Sequence, residues 1–258
     1  MADRTFSNAH CTAAATDRGA TITSWHPTDA HEALFVTRAA NPDAEFHGGI
    51  PICAPWFARG RDGVDVPRPH GLVRWVDWRF EGARQERDAT VAAWTLDAAD
   101  TAHLPGAERY PSDLHYRAEA RFGRELHLSL TITSPTQETI VDEAFHSYFL
   151  VNAVSQATVT GVGDEPLVVT GHHDAIYPDA ADGGVTITLP DREITIATDG
   201  ARDVVVWNPG PERAAELADF DGADWPRMLC VEVGNVRQHA VTIPAGGSHT
   251  MAMTLTIS

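Results

Sequence analysis

Lysine is absent from this 258-residue chain: all 19 basic residues are arginines, set against 36 acidic ones, for a formal net charge of −17. So acidic a chain is excluded as a general nucleic-acid binder, which needs cations to offset phosphate charge. The imbalance fits adaptation to high salt, where carboxylates keep a surface hydrated and screening tames their repulsion, and it equally fits codon usage that writes arginine for lysine. Cysteine is scarce. Cys11, Cys53 and Cys230 are far apart, odd in number and without C-x-x-C spacing, which excludes a disulfide framework and a structural zinc site and leaves reduced, buried thiols. No apolar run approaches a membrane span, and residues 1–8 lack the pattern of a signal peptide, so a soluble, cytoplasmic protein with no membrane partner is expected. Helical periodicity is nearly missing too. Only residues 211–218, with Pro211 early and Glu212 near the positive end of the dipole, read as a short covering helix.

What fills the chain instead is short β-rich runs punctuated by Gly, Pro and Asp. Residues 19–40 suggest a strand pair, and residues 75–80 and 90–96 alternate like half-buried strands. The clearest hairpin has Leu114, Tyr116, Ala118, Ala120 and Phe122 alternating with polar residues, then Leu126, Leu128, Leu130 and Ile132 beyond Gly123. Further strands are predicted at 156–162, 185–189, 193–198, 204–207, 228–233 and 250–257. The pattern specifies an all-β fold, a large antiparallel β-sandwich with one or two short helices. With no linker, repeat or low-complexity segment, residues 1–258 are expected to form a single domain and to act as a monomer.

Several stretches carry chemistry. Residues 48–60, Gly-Gly-Ile-Pro-Ile-Cys-Ala-Pro-Trp-Phe-Ala-Arg-Gly, followed by Pro69-His70-Gly71-Leu72-Val73-Arg74, combine unusual backbone angles, flat apolar rings and a few strongly polar groups, the makings of a pocket wall. In residues 228–235, alternation sends Leu229, Val231 and Val233 to one face and Cys230, Glu232 and Gly234 to the other. Glu232 is then either on the outward face of an edge strand or a carboxylate kept for a polar ligand, since burial without partners is costly. His146 and Tyr148 share a face in the same way. A lone strand histidine is more often structural, but an imidazole and a carboxylate together can divide proton donation and removal near neutral pH. Arg59, Arg61, Arg68, Arg74, Arg79, Arg84 and Arg87 outnumber the acids of residues 59–87, a local excess suited to phosphate, although some of them will pair with those acids. His172 and His173 are adjacent in a strand-like segment, point to opposite faces and make a poor metal pair, so no metal is expected.

Six segments in this order resemble the hexose-6-phosphate mutarotases, or glucose-6-phosphate 1-epimerases, of the aldose 1-epimerase group: residues 48–57, Pro69–Arg74, His146-Ser147-Tyr148-Phe149, Val205-Val206-Trp207-Asn208-Pro209, Ala218-Asp219-Phe220 and Cys230–Asn235. The resemblance implies a galactose-mutarotase-like supersandwich, no cofactor, and a small-molecule sugar or sugar phosphate as the partner. It places the general acid at His146 and the general base at Glu232. His70 and Asp174 match positions that hold the sugar's ring oxygen and hydroxyls, and Arg74 and Arg59 match an arginine-lined mouth. Trp56 or Trp75 is the candidate ring to stack on the sugar's apolar face. The chain departs from the family at Ala58, where a glycine is common, and at Ala175, where an arginine follows the aspartate. The expected activity is anomer exchange by ring opening. The alternatives are an aldose 1-epimerase for unphosphorylated sugars and a non-catalytic carbohydrate-binding module on the same fold.

Overall fold

A computed structural model describes residues 3–38, 47–61 and 66–258. Antiparallel strands dominate, as the alternation required. The largest sheet has nine strands, built outward from the predicted hairpin, His115–Phe122 with Leu126–Ser134. Thr90–Asp97 and then Arg79–Gln85 extend it on one side, and Gly247–Ile257 and Glu193–Asp199 on the other. A second sheet runs in the order His173–Tyr177, Asp203–Asn208, Met228–Asn235, Glu143–Phe145, Ile52–Cys53, with Tyr148–Leu150 also paired to Met228–Asn235.

The two sheets face each other across one core. Period-two alternation makes this possible: Leu128, Leu130, Tyr116 and Trp94 from the large sheet meet Phe145, Phe149, Val204, Val206, Leu229, Val231 and Val233 from the smaller one. Each strand of the smaller sheet therefore turns its alternate residues away from that core. Two small apolar clusters lie on this other face, one around Tyr148, Phe220, Met228 and Cys230, the other around Cys53, Phe57, Ala144 and Val205.

Some details differ from the sequence reading. Residues 73–75 form a 3-10 turn and the neighbouring strand is Arg79–Gln85, so the alternation at 75–80 belongs to an irregular approach to the sheet. The helix covers Gly210–Glu216, slightly earlier than expected. Strands at Asp3–Ser7 and Cys11–Thr16 precede the first one predicted; the mostly polar first and the alanine-rich second give little β signal, and pairing forms them, the first on the second and the second on Thr21–Pro27. Among the described residues, no helix is long and apolar enough to cross a membrane.

Candidate active site

Strand register shows which side chains share the face turned from the core. Cys230 pairs with Trp207 on one side and Tyr148 on the other, while Glu232 pairs with Val205, and Gly234 with Ala144. One strand further out, Asp174 lies opposite Trp207, and on the far side Cys53 lies opposite Ala144. Residues directly opposite one another in an antiparallel pair project to the same side. Asp174, Trp207, Cys230, Glu232, Tyr148 and Cys53 thus occupy one surface, and the edge-strand reading of Glu232 is replaced by a position at the sheet's centre.

On that surface Nε2 of His146 lies 3.5 Å from Oε1 of Glu232. Both residues are buried, at 5% and 2% exposure. His146 stacks on Tyr148 with 4.8 Å between centroids, and Trp207 meets it edge-on at 6.4 Å. On another side the ring of His70 stands against it at 4.9 Å, nearly perpendicular. Burial holds the His146 imidazole well below the ordinary histidine range, and the charges of His70, Arg74 and His47 push the same way. His70 is lowered well below that range by burial first, then by Arg74 and His47. The Cys230 thiol is pushed well up by burial, with Glu232 and Cys53 adding to it, so it remains un-ionised beside the carboxylate.

His70 is set by its backbone. Its φ of +63° is left-handed, and Gly71 follows at +80°, where an added Cβ would lie 1.9 Å from the Ala54 carbonyl oxygen. Hydrogen bonds from the His70 amide to the Ala58 carbonyl at 2.9 Å and from the Leu72 amide to the Ala54 carbonyl at 2.8 Å hold this turn against Ile52–Cys53. Only a residue without a side chain could follow His70 there.

The remaining candidates divide. Arg74 is buried, at 6% exposure, and its charge acts on both histidines, so it belongs to the interior of the site rather than to an outer mouth. Arg59 is exposed beside the turn at Ala58. Asp174 is exposed on the sheet's edge strand but shares the Glu232 face. Trp56 is corrected: at 1% exposure, with its indole N–H donating to the Arg68 carbonyl at 3.0 Å and its ring stacked on Tyr110 at 5.9 Å, it has no open face for a sugar. Of the arginine-rich segment, Arg79 and Arg84 are bound to Glu81, Glu86 and Glu119, and Arg68 lies over Trp75. Two residues without an assigned role emerge. Trp207, half-buried on the Glu232 face, could have been found from its parity with Val205. His47, with Nδ1 3.5 Å from Asp219 and its ring against Trp207 and Phe220, carries no local signal.

The antiparallel sandwich carries a buried imidazole–carboxylate contact on the face of its smaller sheet, a pair able to give and take protons. The family model described as aldose 1-epimerase matches residues 4–175, well over half the chain, and this chain belongs to that family of isomerases. Curated relatives bearing the provisional name glucose-6-phosphate 1-epimerase include one from Escherichia coli K12, 24% identical over 83% of this chain and 76% of its own length, and one from Cenchrus ciliaris, 28% identical over 88% and 76%. The fold is that of a Salmonella typhimurium protein provisionally named a mutarotase, with a TM-score of 0.84 at 21% identity over 99% of this chain and 90% of that one. A galactose 1-epimerase from Lactobacillus acidophilus gives 0.74 at 13% identity over 98% and 93%.

Proposed function

We propose that the protein interconverts the α and β anomers of an aldohexose, with a hexose-6-phosphate such as glucose-6-phosphate as the preferred substrate. The observation that carries this reading is the buried contact of His146 with Glu232. Glu232 takes the proton of the anomeric hydroxyl while His146 gives one to the ring oxygen, and the hemiacetal opens to the free aldehyde. Rotation about C1–C2 presents the other carbonyl face, and reversal of both transfers closes the opposite anomer. The two oxygens share a carbon, so a donor and an acceptor in contact are spaced for them. Proton count is conserved, because the hydroxyl loses what the ring oxygen gains. The spontaneous reaction is not slow, and positioned acid–base groups at roughly 10²–10⁴-fold each are sufficient.

The half-buried Trp207 supplies the apolar surface for a sugar face, and Asp174 and His70 supply polar contacts to its hydroxyls. The phosphate preference rests on Arg74. In a pyranose, C6 is attached to the carbon next to the ring oxygen, so a 6-phosphate lies near whatever protonates that oxygen. A buried guanidinium acting on His146 is placed accordingly, and Arg59 extends positive charge outward. The names borne by the Escherichia coli and Cenchrus ciliaris relatives agree with this choice.

Anomer exchange measured by magnetisation-transfer NMR on glucose-6-phosphate, glucose and galactose tests the reading. The phosphate ester is expected to exchange fastest. Equal rates for glucose and its phosphate would assign the protein to unphosphorylated sugars, and no acceleration of any of them would leave a sugar-binding module.

A further inference from the structure

Two histidines stand side by side in this site, yet the surroundings of their nitrogens are opposite. Nε2 of His146 faces a carboxylate oxygen at 3.5 Å. Nδ1 of His70 instead meets the backbone N–H of Ala58 at 3.4 Å and the thiol of Cys53, also at 3.4 Å. A ring nitrogen that receives an amide N–H offers its lone pair, so it carries no proton, and the thiol must then donate to it as well. The proton of the neutral ring is left on Nε2.

We propose that Cys53 is a positioning residue: with the Ala58 amide it fixes His70 as the tautomer protonated on Nε2, a permanently neutral donor to the sugar, and leaves His146 as the histidine that exchanges protons. Placing a proton on Nδ1 would set it against the Ala58 N–H, costing that hydrogen bond and leaving only the weakly accepting sulfur of Cys53 as a partner. Burial and the Arg74 charge oppose that protonation too. Cys53 is held for this role. It is fully buried on the short strand that pairs Cys53 with Ala144, two residues before His146, and its side chain lies on the Glu232 face. The His70 turn is fixed by the left-handed backbone and the Ala58 and Ala54 hydrogen bonds described above. Two adjacent titratable groups are in this way pushed into different tasks by what touches them.

The inference rests on the proposed function for the meaning of the two roles, but its first test does not require activity. Two-bond ¹H–¹⁵N correlation spectra of histidine-labelled protein report tautomer and charge directly. Wild type is expected to show His70 protonated on Nε2 alone, with no imidazolium between pH 8 and pH 5.5. Cys53→Ala should let His70 protonate about one pH unit higher and lower kcat/KM for anomer exchange about tenfold at pH 6, the scale of one lost hydrogen bond. Cys53→Ser, which keeps a donor, should restore both readouts to within about threefold. A wild-type His70 carrying its proton on Nδ1, or titrating in the ordinary histidine range, would overturn the proposal. So would a folded Cys53→Ala protein with wild-type His70 signals and pH profile. If neither variant folds, the wild-type spectrum decides; if the protein exchanges no anomers, the functional reading fails while the tautomer result stands on its own.

Discussion

Nε2 of His146 and Oε1 of Glu232 are 3.5 Å apart although 86 positions separate them in the chain. The contact is made by the sheet: Glu143–Phe145 and Tyr148–Leu150, on either side of His146, both pair with the strand that carries Glu232. The pair should therefore behave as a unit. Glu232→Gln and His146→Gln are each expected to lower kcat for anomer exchange by about 10²–10⁴. The double variant should lose little more than the worse single one, as for groups serving the same step. Additive losses, or full activity in either single variant, would separate the two residues from the chemistry.

Because burial favours neutral His146 and His70, pH should move activity and stability in opposite directions. An acid with a depressed pKa is protonated less as pH rises, so kcat/KM on glucose, whose charge is constant over this range, should fall from pH 6 to pH 8. For stability, the unfolded chain takes up protons below about pH 6.5 that the two folded histidines refuse, so stability falls with pH there, by at most about 1.4 kcal/mol per unit for each histidine. His249, raised by its hydrogen bond to Glu143, works the other way: its contribution is present below the ordinary histidine range and is lost as pH rises through its raised value. Urea unfolding at pH 7 and pH 5.5 measures the balance. The drop on acidification should be smaller in His146→Gln.

Arg74 and Arg59 should not be equivalent. Arg74→Gln is expected to raise KM for glucose-6-phosphate at least tenfold while changing KM for glucose much less, the scale of a lost charge-assisted hydrogen bond. Arg59→Gln, at an exposed position, should act in the same direction more weakly and more so at low salt. Equal losses on both sugars would refute phosphate recognition by these side chains.

Two tryptophans are expected to fail differently. Trp56→Ala removes a fully buried ring and should cost about 3–5 kcal/mol of stability, read by urea unfolding. Trp207→Ala, at a half-buried ring on the Glu232 face, should raise KM for the sugar with a smaller stability loss. A Trp56 variant that folds normally and binds sugar poorly would reverse this assignment.

Low salt provides a further check. With 36 acids against 19 arginines, halophilic adaptation predicts a fall in the urea midpoint on dialysis from about 2 M to about 0.1 M salt, as screening is withdrawn. An unchanged midpoint would leave codon usage as the explanation for the missing lysines.

Parity along single strands made much of this architecture readable in the sequence. The placing of Leu229, Val231 and Val233 in the core and Cys230, Glu232 and Gly234 opposite them needs only the two-residue period, and the hairpin of residues 114–132 likewise. Which strands are neighbours is a long-range matter that no local pattern carries. Hence the central position of Glu232, the burial of Arg74 and the presence of His47 beside Trp207 appear only in three dimensions. Trp56 misled for the same reason: a tryptophan in a Gly- and Pro-rich segment has the composition of a binding loop, but Tyr110 and the Arg68 carbonyl take both its ring and its N–H.

Every residue of Met228–Asn235 is buried, and that strand is hydrogen-bonded to Asp203–Asn208 on one edge and to Glu143–Phe145 and Tyr148–Leu150 on the other. A carboxylate rooted there has no private way of coming loose. Local fraying can release loops around the sugar, but the amide of Glu232 should exchange with solvent only as fast as the whole sheet opens, among the slowest in the molecule. As denaturant is added, binding should weaken before the His146–Glu232 contact is lost, and the contact should persist until the protein itself unfolds.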